Sequence, residues 1–92
     1  MVTVTVDDHE VGRLVDQVPE GWSRVAYHQD RYGLTKITHG DGRSVSIYAE
    51  QLGGSDVVSA NVYRTSARDV LKPCEMPAEK VLSFLREAAP EA

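Results

Sequence analysis

The hydrophobic positions near the N-terminus recur with the period of an amphipathic helix. They fall at i, i+3, i+4 and i+7, and they are Val11, Leu14, Val15 and Val18. Asp7 stands three residues before Glu10 in a capping arrangement, and both carboxylates suit the positive end of a helix dipole. Because Pro19 and Gly21 interrupt the pattern, we predict a first helix over residues 8–18.

The C-terminal region carries a second stripe of the same period. Its residues are Val81, Phe84, Leu85 and Ala88. Pro77 suits the first position of this helix, where the missing N–H costs nothing. Glu79 near the start and Arg86 near the end complement the helix dipole. Residues 89–92 are expected to form a frayed tail.

Between the helices the period changes to two, which is the alternation of half-buried β-strands. The clearest stretches are residues 45–49 and 58–63, and the glycines of residues 39–42 predict a hairpin turn. Leu34 and Ile37 would face opposite sides of a regular strand, so we expect either a bulge or an exposed Ile37. Residues 1–6 alternate valine with threonine and are either a short first strand or a loose end.

The order helix, meander, helix predicts an α+β fold in a single domain over residues 1–92. Each helix has one apolar face, and an antiparallel meander has one face to bury. We therefore expect a two-layer sandwich, in which both helices pack on one face of a sheet of three to five strands.

Composition and charge narrow the class of protein. The chain has 92 residues, of which 41% are hydrophobic and 26% charged, as in a small globular domain. One cysteine excludes an intramolecular disulfide and a multi-cysteine zinc site. We find no signal-peptide pattern and no apolar run of about 18 residues. We therefore expect a cytoplasmic protein without membrane association, as a monomer or a weak homodimer.

Cationic and aromatic residues concentrate in the predicted strands, where an open sheet face could bind an anion or stack a base. The candidate binding residues are Arg24, Tyr27, Tyr32, Lys36, Tyr48, Arg64 and Lys72. The alternative is an ordinary solvated sheet face with no such role. Because the net charge is −4, nucleic acid is a disfavoured partner, and the sequence names no other.

Cys74 is the candidate catalytic residue, because the thiol is the one strong nucleophile in the sequence. Lys72 and the nearby helix start would favour the thiolate, whereas Glu75 would oppose it. The alternative is a small buried side chain in the loop between sheet and helix. A dyad of Cys74 with His28 would need tertiary proximity. The histidines are too scattered for a local metal motif, so neither a metal nor a cofactor is predicted.

The string Lys72-Pro73-Cys74-Glu75-Met76-Pro77, together with residues 44–56, resembles a family of small uncharacterised bacterial proteins, mainly actinobacterial. The resemblance spans roughly residues 22–86. Some members are labelled peptide methionine sulfoxide reductase, which implies thiol chemistry at Cys74. Those reductases place the catalytic cysteine in a motif such as Gly-Cys-Phe-Trp, whereas Cys74 lies between Pro73 and Glu75.

Three functional hypotheses follow. The first is a non-enzymatic binding or interaction domain of unknown ligand that uses the exposed face of the sheet. The second is a thiol-dependent redox enzyme or sensor that uses Cys74. The third is weak binding of single-stranded nucleic acid by the sheet face.

Overall fold

Strands that follow one another along the chain pair as an antiparallel meander in the computed structural model, which describes residues 9–91. The meander consists of Gly21–Tyr27 (β1), Asp30–His39 (β2), Ser44–Gln51 (β3), Val57–Arg64 (β4) and Asp69–Pro73 (β5). A short strand, Ala89–Pro90 (β6), pairs antiparallel with β1, so the spatial order is β5-β4-β3-β2-β1-β6. The helices are Glu10–Asp16 (α1) and Ala78–Glu87 (α2), and a 3₁₀ turn spans Gly40–Gly42.

Both helices pack on the same face of the sheet, which we call the covered face, and the predicted α+β two-layer sandwich is confirmed. The sheet has six strands, whereas three to five were expected. Alternate strand residues supply one half of the core, because successive side chains of a strand point to opposite faces. Phe84 of α2 is fully buried and contacts the rings of Tyr27 and Tyr32, at 5.0 and 5.2 Å between centroids. The fully buried side chains at the centre of the core are Val15, Ile47, Val58, Val62, Val81 and Phe84.

The first helix is shorter than predicted, because it spans Glu10–Asp16 rather than residues 8–18. At its C-terminus, the Lys36 ammonium donates to the carbonyl oxygens of Val15 and Val18, at 3.0 and 2.9 Å. The Val18 N–H also donates to the Val15 carbonyl, at 3.0 Å, which tightens the last turn. Pro19 disfavours a helical Val18, so the helix ends here. The predicted capping by Asp7 and the predicted strand within residues 1–6 lie outside the described residues.

The second helix begins one residue later than predicted. Pro77 has an extended backbone, with φ −65° and ψ 143°, and therefore flanks the helix as its N-cap, not as its first residue. The predicted frayed tail is also wrong for residues 89–91. Ala89 pairs with Ala26 of β1, and the Glu91 N–H donates to the Arg24 carbonyl at 3.1 Å.

The strand connections follow turn chemistry. His28 and Gln29 both have positive φ, 49° and 71°, and form the two-residue hairpin turn that joins β1 to β2. The predicted turn over residues 39–42 is confirmed. Within β2 the register continues without a bulge. The alternative prediction, an exposed Ile37, is therefore confirmed, because this side chain is 47% exposed.

Candidate functional site

The face of the sheet opposite the helices, which we call the open face, carries large hydrophobic side chains that solvent reaches. Trp22, Ile37, Tyr48 and Tyr63 are exposed by 59%, 47%, 45% and 41%. Each stands an odd number of positions from a core residue of its own strand, so its side chain points away from the core. Tyr48, for example, lies between the buried residues Ile47 and Ala49. The open face is therefore the principal apolar surface of the described residues.

The strand register places these side chains in neighbouring rows. Trp22 pairs with Thr35, and Thr35 pairs with Tyr48, so the two aromatic residues lie two strands apart in one row. Two strand spacings correspond to about 10 Å. Ile37 lies one row further along β2 and is diagonal to Tyr48. The three side chains therefore occupy neighbouring positions on three adjacent strands, and together they make one exposed patch of the open face.

Gly33 allows Trp22 to lie close to the backbone of β2. Gly33 is buried although its strand position points to the open face. A Cβ added there would lie 2.7 Å from Nε1 of the Trp22 indole and 3.2 Å from two ring carbons. The indole therefore occupies the space that a side chain at position 33 would need.

A polar chain crosses the open face beside the aromatic residues. The Ser46 hydroxyl donates to Asn61 Oδ1 at 3.0 Å, and His39 Nε2 lies 3.2 Å from the same hydroxyl oxygen. Because a hydroxyl has one proton to donate, His39 Nε2 is the donor in the second bond. The hydroxyl of Ser46 and the amide of Asn61 can bind a partner through hydrogen bonds without the cost of burying a charge.

The cations of the open face have local partners. Arg24 and Arg31 contact the Glu91 carboxylate at 3.7 and 3.2 Å, and the Lys72 ammonium lies 6.0 Å from the centre of the Tyr63 ring. Glu91 follows β6, so the short pairing of β6 with β1 brings this carboxylate to the two arginines. Glu91 consequently offsets part of the positive charge of the open face.

The predicted binding residues divide between the two faces. The strand register places Arg24, Tyr48 and Lys72 on the open face. It places the other four residues on the covered side, where they do not join that surface. These four are Tyr27, Tyr32, Lys36 and Arg64. A prediction based on strand membership alone did not separate the two sets.

The four residues on the covered side bind elements of the same chain. The Tyr27 hydroxyl lies 2.8 Å from Ser83 Oγ of α2, and Arg64 donates to the Asp16 carboxylate of α1 at 2.7 Å. This bond to Asp16 raises the pKa of Arg64. Lys36 binds the carbonyl oxygens at the end of α1. These contacts tie the helices to the sheet.

Tyr32 belongs to a second set of hydrogen bonds, which joins the sheet, the β3–β4 loop and α2. Its hydroxyl donates to Asp56 Oδ2 at 2.7 Å, and the Lys80 ammonium donates to Asp56 Oδ1 at 2.6 Å. The hydrogen bond from Lys80, followed by that from Tyr32, lowers the pKa of Asp56. Burial, together with the Asp56 carboxylate, raises the pKa of Tyr32.

Cys74 is exposed, so the alternative of a buried cysteine is wrong. It follows β5 directly, and its N–H donates to the Ser59 carbonyl of β4 at 2.9 Å. The turn that follows, with φ 58° at Glu75, directs the chain away before α2 begins. The thiol is therefore accessible, beside the end of an edge strand.

The proposed dyad of Cys74 with His28 does not form. His28 follows β1, whereas Cys74 follows β5, and four strand spacings separate those strands by about 19 Å. His28 instead stacks on Tyr27, with 3.9 Å between ring centroids, and its Nε2 lies 3.1 Å from Glu87 Oε1.

The prediction of binding residues missed Trp22 and Tyr63 and treated Ile37 only as a question of strand geometry. The sequence did contain a signal for them. Each stands an odd number of positions from a core residue of its own strand, as Tyr63 does from Val62, and such positions face opposite sides of a sheet.

The described residues contain no group of three or more metal-ligating side chains placed to hold an ion. Neither of the helices in that part of the chain is long and apolar enough to cross a membrane. Fold and surface together define a small α+β domain with one open antiparallel sheet face. Comparison of the chain with protein-family profiles, curated proteins and solved structures finds no significant match.

Proposed function

We propose that this chain is a non-catalytic interaction module whose open face docks on a partner protein. The observation that carries the proposal is the exposure of Trp22, Ile37 and Tyr48 at neighbouring positions of three adjacent strands, with Tyr63 on the same face. Clusters of large exposed apolar side chains are less common on monomeric domains than single exposed ones, and extensive clusters mark interaction sites. Tryptophan and tyrosine also contribute disproportionately to the binding energy of protein interfaces.

Charge supports a protein rather than a nucleic acid as the partner. Single-stranded nucleic acids bind to aromatic surfaces only when cations also neutralise the phosphates. Here Arg24 and Arg31 already contact Glu91, and serine, threonine and asparagine surround the aromatic side chains. Interfaces between proteins have this character, with aromatic residues and little charge at the centre.

The patch can be tested with substitutions that leave the core intact. Trp22→Ser and Tyr48→Ser remove apolar area from the open face. Leu52→Ser is the matched control, because Leu52 is 37% exposed but lies in the turn after β3. The partner is captured from a lysate of the source cell and then purified. We expect it to bind the wild-type protein and Leu52→Ser equally. Its affinity for each open-face variant should fall at least tenfold.

Trp22 is the only tryptophan of the chain and lies within the patch, so its fluorescence reports directly on docking. Burial against the purified partner should shift the emission to shorter wavelength. Equal binding by wild-type and open-face variants would contradict the proposal. Tight binding of single-stranded oligonucleotides at physiological salt would instead favour the nucleic-acid alternative.

A further inference from the structure

A pocket of about 170 Å³ lies on the covered side of the sheet, between α1, α2 and strands β1 and β6. Its floor is formed by the buried side chains of Val25, Leu34 and Phe84. Gln17 and Pro90 lie at its rim and are exposed. The pocket therefore has a closed apolar end in the core and a mouth that opens to solvent.

The lining is apolar and carries no charge. Gln17 is the one lining residue with a polar side chain, and the remaining residues are aliphatic, aromatic or proline. Such a surface rejects an ionic group, because burying an unpaired charge is costly. It gains free energy when an apolar group displaces water from it.

The volume sets the size of the occupant. An apolar protein cavity of about 150 Å³ accommodates one benzene molecule. A pocket of about 170 Å³ therefore has room for a single aromatic ring with a few additional atoms. A long acyl chain or a nucleotide would not fit within it.

A buried hydroxyl without a hydrogen-bond partner among the described residues lies beside the floor. This group is Ser23 Oγ. Ser23 stands on the covered side of β1, two residues before Val25, and pairs across the sheet with Leu34. Both neighbours line the pocket, whereas Ser23 itself does not, and its hydroxyl oxygen is closed to solvent. Buried polar groups are nearly always hydrogen-bonded, so an unpaired hydroxyl at this position indicates an absent partner.

We propose that this pocket binds a small neutral aromatic molecule with one hydrogen-bonding group, of the size of phenol or indole. The ring occupies the apolar end against Phe84, and the Ser23 hydroxyl turns toward the pocket and pairs with the polar group. This site is separate from the open face and does not depend on the partner proposed for that face, because the sheet lies between them.

The test uses phenol and toluene, two rings of similar size of which only phenol has a hydroxyl. Each is titrated into the ¹⁵N-labelled full chain, and amide shifts are followed residue by residue. We expect saturable shifts that cluster at Val25, Leu34, Phe84 and Ala88. The Ser23→Ala variant should weaken phenol binding at least threefold and leave toluene binding unchanged.

Filling the pocket provides a second arm. Ala88→Leu places a larger side chain in the lining and should weaken both probes at least tenfold. Ala78→Leu, the same change at an exposed position at the start of α2, should leave the affinities unchanged. Absence of saturation up to the solubility limit would overturn the proposal. So would shifts centred on Trp22 and Tyr48, or equal phenol affinity for the Ser23→Ala and wild-type proteins.

Discussion

The Trp22 indole lies directly over Gly33, where its Nε1 atom is 2.7 Å from the position that a Cβ on residue 33 would take. The contact buries the backbone of β2 and holds the largest side chain of the open face in place. A surface aromatic residue is thus positioned by the absence of a side chain on the neighbouring strand.

Replacing Gly33 by alanine should displace the indole, because the new methyl group needs the space that the ring occupies. We expect the emission of Trp22 to shift to longer wavelength as the ring moves into solvent. The free energy of unfolding should change by less than about 1 kcal/mol, since alanine loses less backbone entropy than glycine in a strand. Chemical denaturation and the emission spectrum measure the two effects. Ser44→Ala, elsewhere on the open face, should alter neither, and an unchanged Trp22 spectrum in Gly33→Ala would contradict the contact.

The hydrogen bonds to Asp56 should make the stability of the protein depend on pH in the acid range. Hydrogen bonds from Lys80 and Tyr32 lower the pKa of Asp56 in the folded protein below its value in the unfolded chain. The contribution of Asp56 is therefore complete above the unfolded pKa of about 3.9 and is lost as the pH falls through the lower folded pKa.

Asp56→Asn should remove that contribution. The variant should be less stable than the wild type at pH 7, and the difference should shrink as the pH falls below about 4. Denaturation between pH 2 and pH 7 measures this convergence. Glu50→Gln on the open face serves as the control and should follow the wild-type curve. A constant offset between Asp56→Asn and the wild type over the whole range would contradict the prediction.

The Lys36 ammonium should stabilise the end of α1. Lys36→Met keeps the aliphatic stem but removes both hydrogen bonds to the carbonyls of Val15 and Val18. Since bonds to a charged group each contribute about 1.5–3 kcal/mol, and one charge serves both here, we expect a loss of about 2 kcal/mol. Lys72→Met on the open face should change stability by less than about 0.5 kcal/mol. Equal stability of the two variants would show that the Lys36 bonds contribute nothing.

The exposed Cys74 thiol should react with a thiol reagent in the folded protein. We expect stoichiometric labelling without denaturant and a change of less than about 0.5 kcal/mol in Cys74→Ser, because no buried contact is lost. Labelling is measured with an aromatic disulfide reagent, from the absorbance of the thiolate that it releases. Denaturation curves measure the change in stability. Labelling that requires unfolding would contradict the exposed position. Turnover of a methionine sulfoxide peptide with a dithiol reductant, abolished in Cys74→Ser, would favour the thiol-enzyme hypothesis.

The elements of the fold could be predicted from local pattern, but part of the site could not. Side-chain directions repeat every 3.6 residues along a helix and every two residues along a strand. This periodicity alone predicts the apolar stripe of Val81, Phe84 and Leu85 and the alternation around Ile47. The parity that assigns Trp22 and Tyr63 to the open face was also available. The short strand β6 could not be predicted, because Ala89 and Pro90 have no strand pattern and pair only where β1 presents an edge.

The sequence by itself determined two one-sided helices and an alternating meander, and therefore an α+β sandwich with one face covered. Periodicity is local, so it survives without knowledge of the fold. Only the tertiary structure decided that Tyr32 and Lys36 hold the layers together, that Glu91 reaches Arg24 and Arg31, and that a pocket opens beside Ser23. These relationships join residues far apart in the chain, and their distances depend on how the strands align and the helices pack.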